Sequence, residues 1–81
     1  MLSLKIQKKL LAQAKETLGN YGLDFSQLDE GKVVSNEGEV IVDVIFTHKE
    51  TGNEVVLSSI WFDKKTGDIL QSGTSYGRLT L

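Results

Sequence analysis

Cysteine is absent from the 81-residue chain, so neither a disulfide nor a thiolate-held metal can help stabilise so small a fold. Its absence also fits a reducing compartment. Histidine occurs once, as His48, which excludes any metal site built on two histidines. Long apolar runs are missing too: none exceeds a few residues, and a spanning helix needs roughly 20. The N-terminal stretch MLSLKIQKKLLAQAKETL interleaves its lysines with apolar residues. A secretory leader would place them ahead of a continuous apolar run, so the expectation is a cytoplasmic protein with no membrane partner. The glycines are scattered over turns and match neither phosphate-loop nor dinucleotide-binding spacing.

What is present is the composition of an ordinary globular domain, 40% hydrophobic and 25% charged. The length is that of a single domain near the lower limit at which one core suffices. The net charge of −2 is unevenly spread. Residues 1–19 hold Lys5, Lys8, Lys9 and Lys15 against Glu16, whereas residues 20–81 hold ten acidic and five basic side chains. The basic segment has no arginine or aromatic residue among its lysines, so it reads as a solvated helix face and no nucleic-acid partner is expected.

Ile6, Leu10, Ala14 and Leu18 recur at steps of four, which predicts a helix over about 3–18 with Ser3 as N-cap and Gly19-Asn20 as its stop. Residues 19–31 form a connector that Tyr21, Leu23, Phe25 and Leu28 pin to the core, with one helical turn near Ser26. From Lys32 the period changes to two and β-branched residues dominate. Strands are expected at about 32–35, 39–47, 54–62 and 69–77. The turns between them fall at Asn36-Glu37-Gly38, Lys49-Glu50-Thr51-Gly52 and Lys64-Lys65-Thr66-Gly67. The last two resemble each other, KETGN and KKTGD, and each ends in a glycine suited to the positive φ that closes a hairpin loop. The order predicts an α+β domain, 1–81, in which the N-terminal helix packs on one face of a four-stranded antiparallel meander.

Counting back from four-residue turns opposes His48 to Asn53 and Asp63 to Asp68. It pairs Phe46 with Val55, Val44 with Leu57, Val42 with Ser59, Val40 with Trp61, Trp61 with Leu70 and Phe62 with Ile69. Paired residues share a face. Val40, Val42, Val44, Phe46, Val55, Leu57, Trp61 and Leu70, joined by Tyr76, are therefore expected under the helix. The opposite face would carry Ile41, Ile45, Val56, Ile60, Phe62 and Ile69, interrupted by Asp43, Ser58, Gln71, Gly73 and Ser75. One helix cannot cover both faces, and an uncovered apolar face on a small domain suggests a partner surface.

A helix followed by such a meander resembles the cystatin-like arrangement. The segment GNEVVLSSIWFDKKTGDIL is similar to the end of the PepSY domain, through Glu54, Val55, Asp63, Thr66, Gly67, Ile69 and Leu70. The resemblance implies a two-layer fold and a non-enzymatic inhibitor or regulator that acts through hairpin tips or a sheet edge.

Candidate chemistry is sparse. Asp43, Ser58 and His48 hold the residue types of a hydrolytic triad. On the expected register, however, His48 lies about 16 Å along the strand from Asp43, far outside hydrogen-bond reach. Asp29-Glu30, Glu37/Glu39 and Asp63/Asp68 sit in turns, where carboxylates ordinarily accept from backbone amides. The expectation is a protein with no catalytic, cofactor-binding or metal site, meeting a protein partner, itself a second copy, through Ile41, Asp43, Ile45, Val56, Ser58, Ile60, Phe62 and Ile69. A small-ligand pocket between helix and sheet is the weaker alternative.

Overall fold

A computed structural model describes residues 2–36 and 41–78. Its elements are α1 (Leu4–Gly19), a 3₁₀ turn (Phe25–Gln27), β1 (Lys32–Asn36), β2 (Ile41–Thr47), β3 (Glu54–Phe62) and β4 (Ile69–Arg78). The strands form one antiparallel sheet in the order β1-β2-β3-β4, and α1 lies across one of its faces. The domain is thus an α+β meander with one helical layer. Val40, the turn at Glu37-Gly38 and the side chain of Tyr76 lie outside the described residues.

The Ser3 hydroxyl accepts from the Ile6 amide at 3.2 Å and so satisfies one of the donors a helix N-terminus leaves open. Leu10, Ala14 and Leu18 form the buried stripe of α1 and meet Val42, Val44 and Phe46 of β2 and Leu57, Ile60 and Phe62 of β3. The connector is fastened by its own polar groups. One Asp29 oxygen accepts from the amides of both Gly31 and Thr47, each at 2.9 Å, and Asp29 N donates to the Thr47 carbonyl. Phe25 stacks edge-on against Phe46 at 5.3 Å. Gly31, at φ +83°, passes so close to this ring that a Cβ there would lie 2.6 Å from Phe46 Cδ1.

The two hairpin turns share one construction. His48 N donates to Asn53 O and Gly52 N to His48 O; likewise Asp63 N donates to Asp68 O and Gly67 N to Asp63 O. Gly52 and Gly67 sit at φ +77° and +79°. In each turn the threonine hydroxyl accepts from the amide two residues on, Thr51 from Asn53 and Thr66 from Asp68.

From these turns the register runs Phe46 to Val55 and Val44 to Leu57. It then breaks. Val42 pairs with Ile60 and Ile41 with Trp61, so β3 holds one residue more than β2 between these points. The same extra residue shows against β4, where Ser58 pairs with Gly73 but Trp61 with Gln71. It is Ser59, at φ +53°, the one described non-glycine residue with a positive φ. This is a β-bulge, and one inserted residue exchanges the faces for the remainder of the strand.

The exchange corrects the expected faces. Ile60 and Phe62 point to the helix side, 0% and 7% exposed, and Ile69 packs against the same core. Trp61 turns outward and is 46% exposed. Leu70 is 70% exposed, and it is the extra residue that β4 inserts opposite the Trp61–Phe62 step. Magnitudes account for the choice. Burying Ile60 and Phe62 contributes roughly 3–6 kcal/mol. The regular register would gain in exchange the exposed parts of Trp61 and Leu70, but it would also withdraw Ile69 from the core and bury the Ser59 hydroxyl. Leaving that hydroxyl in water saves about 1–3 kcal/mol, which offsets the roughly 1–3 kcal/mol cost of a positive φ. The balance favours the bulge.

Candidate functional site

With α1 on one side of the sheet, no described element covers the opposite side, here called the open face, and its layout follows from the pairing. Across the strands, Val34, Asp43, Ser58 and Gly73 form one row. Ile45 and Val56 lie in the row on one flank, with Lys32 beyond Ile45; Ile41, Trp61 and Gln71 lie in the row on the other. The middle of this face is therefore Ile41, Ile45, Val56 and Trp61, with Asp43 and Ser58 between them. Val56 is buried yet stands apart from the core under the helix.

Asp43 explains how the face is made. Its Oδ1 accepts from the Ser59 amide at 3.0 Å, so a carboxylate on β2 reaches over to hold the bulge on β3. The bulge in turn delivers Trp61 to the open face. A charged residue in a central strand is thereby satisfied by backbone, and small serines opposite it leave room for the irregular path.

Five of the eight residues expected at the interface lie on this face: Ile41, Asp43, Ile45, Val56 and Ser58. The other three, Ile60, Phe62 and Ile69, belong to the helix side. Trp61 and Val34 were missed. The signal that could have found Trp61 is the aspartate of an otherwise apolar β2 lying opposite Ser58-Ser59, a pattern that marks an irregular strand pair.

His48, Asp63 and Asp24 are engaged with backbone, and Asp68 with a lysine. His48 Nδ1 accepts from the Glu50 amide at 3.4 Å, the place that Asp63 Oδ1 fills for Lys65 and Thr66 in the other turn. With Asp43 holding Ser59, no triad geometry forms from Asp43, Ser58 and His48. Asp24 caps the 3₁₀ turn, and hydrogen bonds from Ser26, led by its backbone amide, hold the carboxyl below its ordinary value. Asp68 is lowered chiefly by its hydrogen bond with Lys9 and next by Thr66; the Lys9 ammonium lies 2.9 Å away. Among the described residues no three histidines, cysteines or carboxylates gather as a metal site would require, and no helix is long and apolar enough to cross a membrane. No protein family, curated protein or solved structure matches the chain.

Proposed function

We propose that this chain is a non-catalytic interaction module that pairs with a second copy of itself through the open face of the sheet, with Trp61 as the anchor. The observation that carries the reading is the exposed tryptophan on the face without a helix, paired with Ile41, with Ile45 and Val56 beyond the row of Asp43 and Ser58. Tryptophan is among the residues that most often dominate binding energy at interfaces.

The face is also self-complementary. A two-fold axis lying between the two sheets and along the strands, midway between β2 and β3, sets β2 of one copy over β3 of the other. Trp61 then lies over Ile41, Val56 over Ile45, and the Ser58 hydroxyl over Asp43. At the margins Val34 of β1 lies over Gly73 of β4, a large residue against a small one. No like charges oppose each other among these residues, as an isologous interface requires. Four strands about 4.8 Å apart and roughly 25 Å long give on the order of 500 Å² in projection. Two such faces, with their side-chain relief, reach the ~1,000 Å² that a specific interface needs.

Sedimentation velocity on the wild type and on Trp61→Asp tests this. A wild-type dimer at tens of micromolar and a folded, monomeric variant are expected. A wild type that stays monomeric at several hundred micromolar would sink the proposal. Ile60→Asp is unsuitable as a probe, because Ile60 is core.

Action as a regulator or inhibitor through the hairpin tips, which the PepSY and cystatin resemblance implies, is less well supported. The two tips lie at opposite ends of β3, about 30 Å apart for nine residues, so one small partner site does not reach both.

A further inference from the structure

A second feature shares no residue with the open face. Between the first turns of α1 and the β3–β4 turn runs a groove of about 590 Å³ lined by Ser3, Lys5, Ile6, Lys9, Lys64, Lys65 and Thr66. Four of the seven lining residues are lysines and none is acidic. We propose that this groove binds a small molecule carrying two or more closely spaced phosphate groups.

Lys5, Lys64 and Lys65 are not what holds the turn in place. The Gln13 side-chain amide does that with both ends: Nε2 donates to Gly67 O at 2.7 Å and Oε1 accepts from Ile69 N at 2.9 Å. Gly67 lies so close to the helix that a Cβ there would be 3.1 Å from Ile6 Cδ1 and 3.2 Å from Lys9 Cδ. A neutral clamp and a close-packed glycine thus fix Lys64-Lys65 beside Lys5 and Lys9. Lys9 has Asp68 as its partner. Lys5, Lys64 and Lys65 have no acidic partner among the described residues. Like charges held around one groove raise each other's free energy in the empty protein, and a bound polyanion reverses that penalty.

The lining also narrows the ligand. Ile6 is its one large apolar group, so affinity rests on charge and on the Ser3 hydroxyl, as suits phosphate oxygens. The volume is within the usual range for small-molecule sites. Aromatic platforms for nucleic-acid bases and arginine forks are both missing from the lining, which favours a compact polyphosphate over a strand. A contrasting groove of about 330 Å³ lies elsewhere, lined by Lys15, Phe25, Leu28, Asp29, Glu30 and Lys49. There the acids balance the lysines, and it serves as the control.

The test is calorimetric titration of the full chain with inorganic tripolyphosphate at low and moderate salt. Three proteins are compared: wild type, Lys64→Gln/Lys65→Gln and Lys15→Gln/Lys49→Gln, each with its fold checked by circular dichroism. All four lysines are solvent-exposed, so the variants are expected to fold. Saturable wild-type binding is expected, weakening several-fold with salt. The Lys64/Lys65 variant should lose about tenfold in affinity, while the Lys15/Lys49 variant stays within about twofold. Amide shifts in the wild type should centre on Lys5 and Thr66. Equal losses in the two double variants would mean diffuse attraction and overturn the site. So would absence of binding at millimolar tripolyphosphate. Tighter binding of an oligonucleotide with matched charge would overturn the choice of ligand.

Discussion

Truncating Ile60 and its neighbour Trp61 separately decides whether the bulge governs β3. In the bulged strand Ile60 is fully buried and Trp61 about half exposed. Ile60→Ala then removes a side chain from a packed core, which costs about 2–5 kcal/mol through lost transfer energy and an unfilled cavity. Trp61→Ala removes a ring that water already reaches, and at protein concentrations low enough to favour the monomer the loss should be about 1 kcal/mol or less. A domain of 81 residues has a total stability of roughly 4–12 kcal/mol at the usual value per residue. Ile60→Ala therefore consumes a large part of it and lowers the melting temperature by upwards of about 10 °C. Urea unfolding followed by far-ultraviolet circular dichroism serves both variants, since one of them lacks the fluorophore. In the wild type the emission of Trp61, the one tryptophan, should be that of a partly solvated indole, accessible to iodide, and should shift to the blue as concentration rises and the open face becomes covered. The regular register makes the opposite claim: Trp61 in the core and Ile60 in water. If Trp61→Ala costs as much as Ile60→Ala, and emission at dilution is already that of a buried indole, the bulge and the face assignment built on it are wrong.

Ser59→Gly relieves a positive φ at a solvent-exposed site and should be neutral or stabilise by up to about 1 kcal/mol, whereas Ser59→Val puts a β-branched side chain in the same conformation and should destabilise by about 1–3 kcal/mol; similar urea midpoints for the two would contradict the bulge. Asp68 is held below its ordinary pKa, first by the hydrogen bond with Lys9, so its contribution is present above the unfolded-state value and lost as pH falls through the lower folded value; the stability difference between wild type and Asp68→Asn should hold steady from neutral pH to about pH 5 and close below about pH 4, and a difference unchanged at pH 2 would refute the pairing.

The fold class was legible because each element follows a local rule. The four-residue steps of Leu10, Ala14 and Leu18 are a helical period, and the alternation of Val42, Val44 and Phe46 is a strand period. The glycines that close KETG and KKTG announce hairpins whose register can be counted. Near those turns the count holds, for Phe46 with Val55 and for Phe62 with Ile69. It fails midway along β3, where no glycine or proline marks a break and the insertion falls on a serine. The candidate site was accordingly legible on β2, at Ile41, Asp43 and Ile45, and on β3 as far as Ser58. Beyond that point the faces of Ile60, Trp61 and Phe62, and with them Ile69 and Leu70, were reversed, while Gln71 and Gly73 of β4 kept theirs.

By itself the sequence determined the elements, their order and the turns that join them, since these depend on conformational preferences a few residues long. Tertiary structure alone decided which side of the sheet receives Ile60, Trp61 and Phe62. That outcome is a competition: two large side chains fill the space under α1, against one residue in a strained backbone conformation secured by Asp43 from the neighbouring strand. None of these contributions can be read from the alternation of β3, because a one-residue bulge leaves the local pattern intact while exchanging its faces.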